Sequence, residues 1–505
     1  MSGEEPAGVV FPTAADGRRS TSAVGSAVVA DALRPVDPLG ALDAERDTNW
    51  RSGYVVHFRR LVEAGLASRD AAITVARDGL DSVHRRMRVV QPDSEETGLD
   101  TLLAAPGGRR FTAVTVPGTG QADDGLSLPY RGDLLRGDAL LRRLDTWVGS
   151  GVIEPSCADA VRAVAAHPEW LPLPGRTIAV LGAGAEVGPL SPLLSWGARV
   201  IAVDLPRRAV WERVLDTGRR SGGTLLIPVA HQQPGQREAG GGSEAGGGSE
   251  AITQRAGLDL TSEIPAVADW LATIDGPLVL GNYVYADGAA NVRLSAAVDA
   301  LTVRLRAERD DVALAFLATP TDVFAVPPEA VAQSVHAYAT RSRAAKFAGR
   351  PLRTLSGGRL LRRAYMPGVD PGINDSLVSQ QGPNYALAKR VQRWRATLAR
   401  EAGTTVSMNV APPTRTRSVL KNRVLAAAYA GAHRFGVEVF EPATCKVLMA
   451  ALLVHDLNTG GGPAHAYPWQ DEAHAAAHGG LWRIAYAPRS ALGLAAALGY
   501  STARR

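Results

Sequence analysis

Apolar residues along this chain fall into two rhythms. From Asn49 onward Val55, Phe58, Leu61, Val62 and Leu66 recur at three- and four-residue steps, the spacing of one helix face. Residues 71–89, 134–148 and 158–166 repeat that pattern, whereas 111–116 alternates like a short strand. From residue 174 the rhythm changes. Short apolar runs at 178–181, 198–203, 224–229, 256–260, 278–285, 312–318 and 405–410 read as strands, with helix-like segments at 189–196, 292–306, 385–401 and 419–433 interspersed among them. Strand alternating with helix predicts an α/β fold: a doubly wound, mostly parallel sheet of Rossmann type covered on both faces.

The same pattern divides the chain. Residues 1–45, rich in Gly, Ala, Ser and Pro, read as a flexible arm. Residues 46–173 read as a mainly helical region, 174–435 as the sheet domain, and 436–505 as a C-terminal extension or lid over the substrate side. Within the sheet domain, 238–251 contains Glu-Ala-Gly-Gly-Gly-Ser twice and reads as a flexible linker. Residues 322–380 read as an insertion, with 350–375 irregular.

Composition narrows the class. The 505 residues are 46% hydrophobic, enough for a sizeable core, and the net charge of +5 is small for this length. The arginines are scattered without aromatic interleaving, so a nucleic-acid partner is not expected. Cys157 and Cys445 are the only cysteines, which excludes a disulfide framework. The N-terminus is polar and acidic, and no uncharged apolar run has the length of a membrane span. The expectation is a cytoplasmic protein with a small-molecule substrate, no transmembrane segment and room for homo-oligomers.

Two motifs carry chemistry. Leu181-Gly-Ala-Gly-Ala-Glu-Val-Gly188 follows the first strand of the sheet domain. Gly182 permits a tight exit from the strand, Gly184 lets backbone approach a phosphate, and Gly188 lets the next helix pack on the sheet. That helix's N-terminus would face a pyrophosphate. Asp204 ends the second strand, 22 residues after Gly182, where a carboxylate can accept both ribose hydroxyls. It favours NAD over NADP, although Arg207 and Arg208 follow at once and leave NADP possible. The second motif is Tyr385-Ala-Leu-Ala-Lys389, whose spacing of four puts both side chains on one helix face. There Lys389 would lower the Tyr385 pKa and bind a nicotinamide ribose, leaving Tyr385 as general acid or base on a carbonyl or alcohol. The bland alternative is an amphipathic helix with one buried Tyr and one solvated Lys.

These residues resemble the short-chain dehydrogenase/reductase family over about residues 175–435. The glycine turn is similar to that family's Thr-Gly-x-x-x-Gly-x-Gly. The resemblance implies that Asp259 and Leu260 touch adenine, that Asn282 closes the fourth strand, and that Thr319 or Thr321 stands in for the family's Ser after the fifth. The departures are Glu186 for the middle glycine, Leu181 for Thr, Pro413 for Gly, and Gly372 where the Ser would lie thirteen residues before the Tyr. The implied activity is NAD(P)-dependent oxidoreduction with Tyr385, Lys389 and Thr319 catalytic, and with Gly182, Gly184, Gly188, Asp204, Asp259, Leu260 and Asn282 on the cofactor. A Gly-x-Gly turn with an acid after the second strand also suits an S-adenosylmethionine-dependent methyltransferase, in which Tyr385 and Lys389 have no role. A nucleotide-binding scaffold without activity is the third alternative. His474 and His478, four apart beside Asp471 and Glu472, have the spacing of a helical metal pair. No further ligands are specified, and no metal is assigned.

Overall fold

The computed structural model describes residues 7–91, 95–107, 111–231, 249–461 and 464–500. Residues 1–6 of the expected arm and 238–248 of the expected linker lie outside them; 249–251 open a helix, Ser249–Arg255.

The N-terminal segment is not an arm. Residues 21–33 form helix α1 (Thr21–Leu33), capped by the Ser20 hydroxyl, with Val24, Val28, Val29 and Leu33 buried. It packs with α2 (Trp50–Gly65) and α3 (Arg69–Arg86). Small residues made this stretch look unstructured, yet they permit close packing: a side chain on Gly25 would stand 2.9 Å from the Trp50 indole nitrogen. Farther upstream, the Val9 N–H donates to Thr261 O at 2.7 Å and Arg293 holds the Val9 and Ala7 carbonyls.

Seven strands make the central sheet: β1 (Phe111–Pro117), β2 (Thr177–Leu181), β3 (Arg199–Val203), β4 (Thr224–Ala230), β5 (Leu278–Asn282), β6 (Val312–Ala318) and, farther along, the strand Val406–Val410. Between the last two lies a separate antiparallel hairpin, β7 (Val323–Val326) with β8 (Gly372–Asp375), so Val406–Val410 is β9. The order is β9-β6-β5-β2-β3-β4-β1, parallel throughout except for β1, which runs antiparallel along β4. All five residues of β2 are buried, as expected of a strand covered on both faces. Ile178 and Val180 enter one core and Ala179 and Leu181 the other, following the two-residue period. The run at 256–260 is not a strand; it makes one bridge, Ala256 to Val229.

Helices cover both faces. On one, α1 to α3 share a core with helices of the sheet region, the helix Ile264–Ala272 among them. On the other lie α4 (Gly137–Gly149), α5 (Pro155–Ala166), α6 (Leu190–Ser195) and α7 (Arg208–Arg220). Also on the first face are α8 (Ala289–Glu308) and, after the amphipathic α9 (Arg343–Leu355), α10 (Gly382–Glu401). The region 322–380 is therefore structured, and α9 occupies part of the stretch expected to be irregular. The C-terminal region is only partly a cover. Between α11 (Arg423–Gly431) and α13 (Pro488–Gly499), α12 (Pro442–Thr459) is buried beside β9 on the second face. Within the described residues no helix is long and apolar enough to cross a membrane.

Candidate functional site

The C-terminal ends of β2, β3, β5 and β6 meet at one edge of the sheet. Leu181 pairs in register with both Val203 and Asn282, and Asn282 with Phe316. The loops that leave β2, β3 and β5 therefore start at the same level, and β6 runs two residues farther, to Ala318.

At β2 the chain turns sharply. Gly182 has φ +83°, and a side chain there would stand 2.9 Å from Tyr283 O, so glycine is required on two counts. The exposed Gly184 N–H donates to Asp204 Oδ2 at 2.8 Å, while Asp204 Oδ1 accepts from the Leu205 N–H at 2.8 Å. Asp204 thus ties the turn to the end of β3. The following helix does not begin at the turn as expected. It starts at Leu190 behind Pro189 and is only six residues long. Gly188 does not serve close helix–sheet packing either: the atoms nearest a side chain there would belong to Ala185 and Gly182 of the turn itself, at ordinary contact distances of 3.4–3.8 Å. Glu186 is drawn away from the turn, accepting the Arg417 N–H at 2.8 Å with Lys446 in its field. Asp259 lies close by, since the Leu258 N–H donates to Asp204 O, but its carboxylate is engaged by the Thr261 N–H and hydroxyl at 2.8 Å each. Leu260 is buried in the core and presents no face to an adenine.

The Tyr–Lys pair lies on α10. Pro383 sits in the first turn of this helix, a favoured position, and its buried face carries Leu387, Val391 and Trp394. Tyr385 packs edge-on against Tyr285, ring centres 6.2 Å apart, three residues beyond β5. The Thr319 hydroxyl faces Tyr385 closely enough to favour its ionised form, and pairs with the Thr321 hydroxyl at 2.9 Å. Lys389 Nζ donates to Leu317 O at 3.1 Å and to Gln392 Oε1 at 3.0 Å; Gln392 in turn donates to Asn282 Oδ1 at 3.3 Å. Tyr385, Thr319, Lys389 and Asn282, distant in sequence, are thus joined at one sheet edge.

The electrostatics differ from the expectation. Burial pushes the Tyr385 hydroxyl up to about 12; the Thr319 hydroxyl offsets this in part, and the negative Asp322 adds to it. Burial pulls Lys389 down to about 8, opposed by Asp322. Lys389 does not lower the Tyr385 pKa because its ammonium is directed onto Leu317 O and Gln392. Asp322 itself is buried; burial works to raise its pKa, but Arg390 and Arg393 outweigh it and hold it charged.

Two contributors escaped the sequence reading. Gln392, three residues after Lys389, shares its helix face, and that spacing was the available signal. Asp322 carried none, because the β7–β8 hairpin delivers it. Ser376 is near Tyr385 in sequence but was expected to lack a preceding strand; β8 (Gly372–Asp375) is that strand. Thr321, Ser376, Leu377, Val378, Tyr429 and Phe435 line a cavity of about 70 Å³ that runs on toward α13. Its walls are mostly apolar, with Thr321, Ser376 and Arg489 among the polar exceptions.

His474 and His478 do not share a helix. The helix ends at Ala473, and His478 is buried with Nε2 on Glu154 at 2.8 Å while its Nδ1 accepts the Gly480 N–H. In comparisons with known proteins, no family model, no curated protein and no solved structure matches this chain.

Proposed function

We propose that this protein is a dinucleotide-dependent reductase of the short-chain dehydrogenase/reductase type, acting on a carbonyl carried by an apolar substrate. The observation that carries the reading is the half-buried Tyr385, its hydroxyl beside Thr319 at the strand ends that also hold Asn282 and the glycine turn. The strand order supports it. Counted from β2, the six parallel strands run 3-2-1-4-5-6, the order of two mononucleotide-binding halves with their crevice at the β2–β5 switch point.

The residues fit a dinucleotide. Asp204 keeps free lone pairs for ribose hydroxyls beside its two backbone donors. Gly184 is exposed and has no side chain to obstruct a diphosphate, and the Glu186 charge is held off the turn by Arg417 and Lys446. A bound cofactor, NADH or NADPH, would supply the hydride and leave as its oxidised form. Tyr385, neutral at pH 7 with its raised pKa, donates its proton to the carbonyl oxygen and recovers one from solvent. Thr319 orients that hydroxyl. Lys389, fixed by Leu317 O and Gln392, sets a positive charge beside the site. The cavity behind Thr321 takes the apolar part of the substrate.

A methyltransferase is the second reading, favoured by one feature. The Gly184 N–H is already taken by Asp204 and the next helix starts late, so the turn offers fewer donors to a pyrophosphate than to a cofactor without phosphate. Oxidation of NADH and NADPH with a panel of apolar ketones separates the readings. The reductase reading expects turnover that Tyr385→Phe lowers at least about a hundredfold with cofactor affinity unchanged. Turnover equal in both proteins would reject Tyr385 as the proton donor.

A further inference from the structure

Residues 330–369 carry eight cations and no carboxylate, in a chain whose net charge is +5; the rest of the molecule is net acidic. Helix α9 lies inside this segment and sorts its residues by side. At about 100° per residue, Arg343, Lys346, Arg350 and Arg353 form one stripe, and Phe347, Leu352 and Leu355 fall outside it. Yet Phe347 is 84% and Leu355 86% exposed, and Leu352 is 39% exposed. The apolar face of α9 is turned to solvent, and the helix itself supplies no acid to neutralise its cations. It is held to the body at few points: Arg353 donates to the Tyr338 hydroxyl at 3.1 Å, and Gly349 approaches Leu361. Leu361 belongs to a small cluster with Tyr486 and Ala491, and Ala491 also lines the cavity beside the candidate site.

We propose that α9 docks the protein on an anionic lipid bilayer. Its cations would meet acidic headgroups while Phe347 and Leu355 enter the acyl boundary, the arrangement of a helix lying in the membrane plane. Charge selects this occupant over a second copy, since α9 against α9 would set four cations against four. The docked helix would place an apolar surface next to the apolar cavity. The docking proposal itself stands independently of the reaction catalysed.

Co-sedimentation of the full-length protein with vesicles tests it. We expect binding to phosphatidylcholine vesicles containing phosphatidylserine, little binding to phosphatidylcholine alone, and loss at high salt. Replacing Arg343, Lys346 and Arg350 together by Gln, with the Arg353 anchor left in place, should weaken binding at least about thirtyfold, since each cation near such a surface contributes roughly fivefold. The double variant Phe347→Ser, Leu355→Ser should also weaken it. These side chains are exposed, so both variants should keep the wild-type circular dichroism and thermal midpoint. Absence of binding to either vesicle, equal binding to both, or unchanged binding by both variants would overturn the proposal. So would a concentration-dependent dimer abolished by the Ser variant without vesicle binding, which would assign the face to a second copy.

Discussion

Lys389 and Tyr385 have moved in opposite directions, the ammonium down to about 8 and the phenol up to about 12. This arrangement holds a protonated Tyr at every physiological pH and a Lys that discharges in mildly alkaline solution. If Lys389 must be charged to hold the cofactor ribose, reductase activity is expected to fall as pH rises through about 8. Lys389→Arg, which stays charged, should carry that limb upward even where its shape lowers activity overall. The same group affects stability with a definite sign. Its folded pKa lies below the ordinary 10.5, so between about 8 and 10.5 the unfolded chain binds more protons and this group's contribution to stability rises with pH. A pH–activity profile of the two proteins checks the first statement, and an unchanged limb in Lys389→Arg would contradict it. At this scale spacing singled out Tyr385, Lys389 and Asp204, and the family resemblance pointed to Thr319 and Asn282. The sequence was silent about environment. The direction of the Tyr385 shift depends on burial and on Asp322, which reaches the site only once the hairpin folds.

The elements around the site are held by a few buried charges. Asp299 on α8 accepts from Arg395 of α10 at 2.7 and 2.8 Å and pairs with His84 of α3 at 2.7 Å. Burial opposes its ionisation, but Arg395 and His84 outweigh this and keep its pKa low. Asp299→Asn leaves the buried Arg395 without its counter-charge and should cost about 3–5 kcal/mol in a denaturant titration. A loss below about 1 kcal/mol would show that α3, α8 and α10 do not depend on this pair. At the turn, Asp204→Ala removes the acceptor for two backbone N–H groups and the candidate acceptor for ribose. NADH affinity should fall and the preference over NADPH narrow; if wild type already prefers NADPH, Arg207 or Arg208 governs the choice. The helices and strands with strong periodicity were legible, α10 and β2 above all. Three stretches were misread because their signals were weak: α1 through its small residues, α9 through Gly349 and Pro351, and α12 because a buried helix reads the same whether it covers the sheet or the substrate.

The whole molecule is a three-layer α/β body with a seven-stranded, mostly parallel sheet, and its N-terminal helices form part of the main core rather than a separate unit. That integration was not legible, since contacts such as Gly79 against the Trp394 ring join segments more than three hundred residues apart. The alternation of strand and helix was legible, and it predicted the layered sheet correctly. The central claim is that this sheet edge binds a nicotinamide dinucleotide. A ligand that binds only the folded chain raises its stability, by about 2.7 kcal/mol at a hundred times its Kd. Thermal unfolding of the full-length protein with NADH, NADPH and S-adenosylmethionine is therefore the most direct measurement. The account predicts a concentration-dependent rise in the midpoint with NADH or NADPH and none with S-adenosylmethionine. A rise with S-adenosylmethionine alone, or with none of the three, would contradict it.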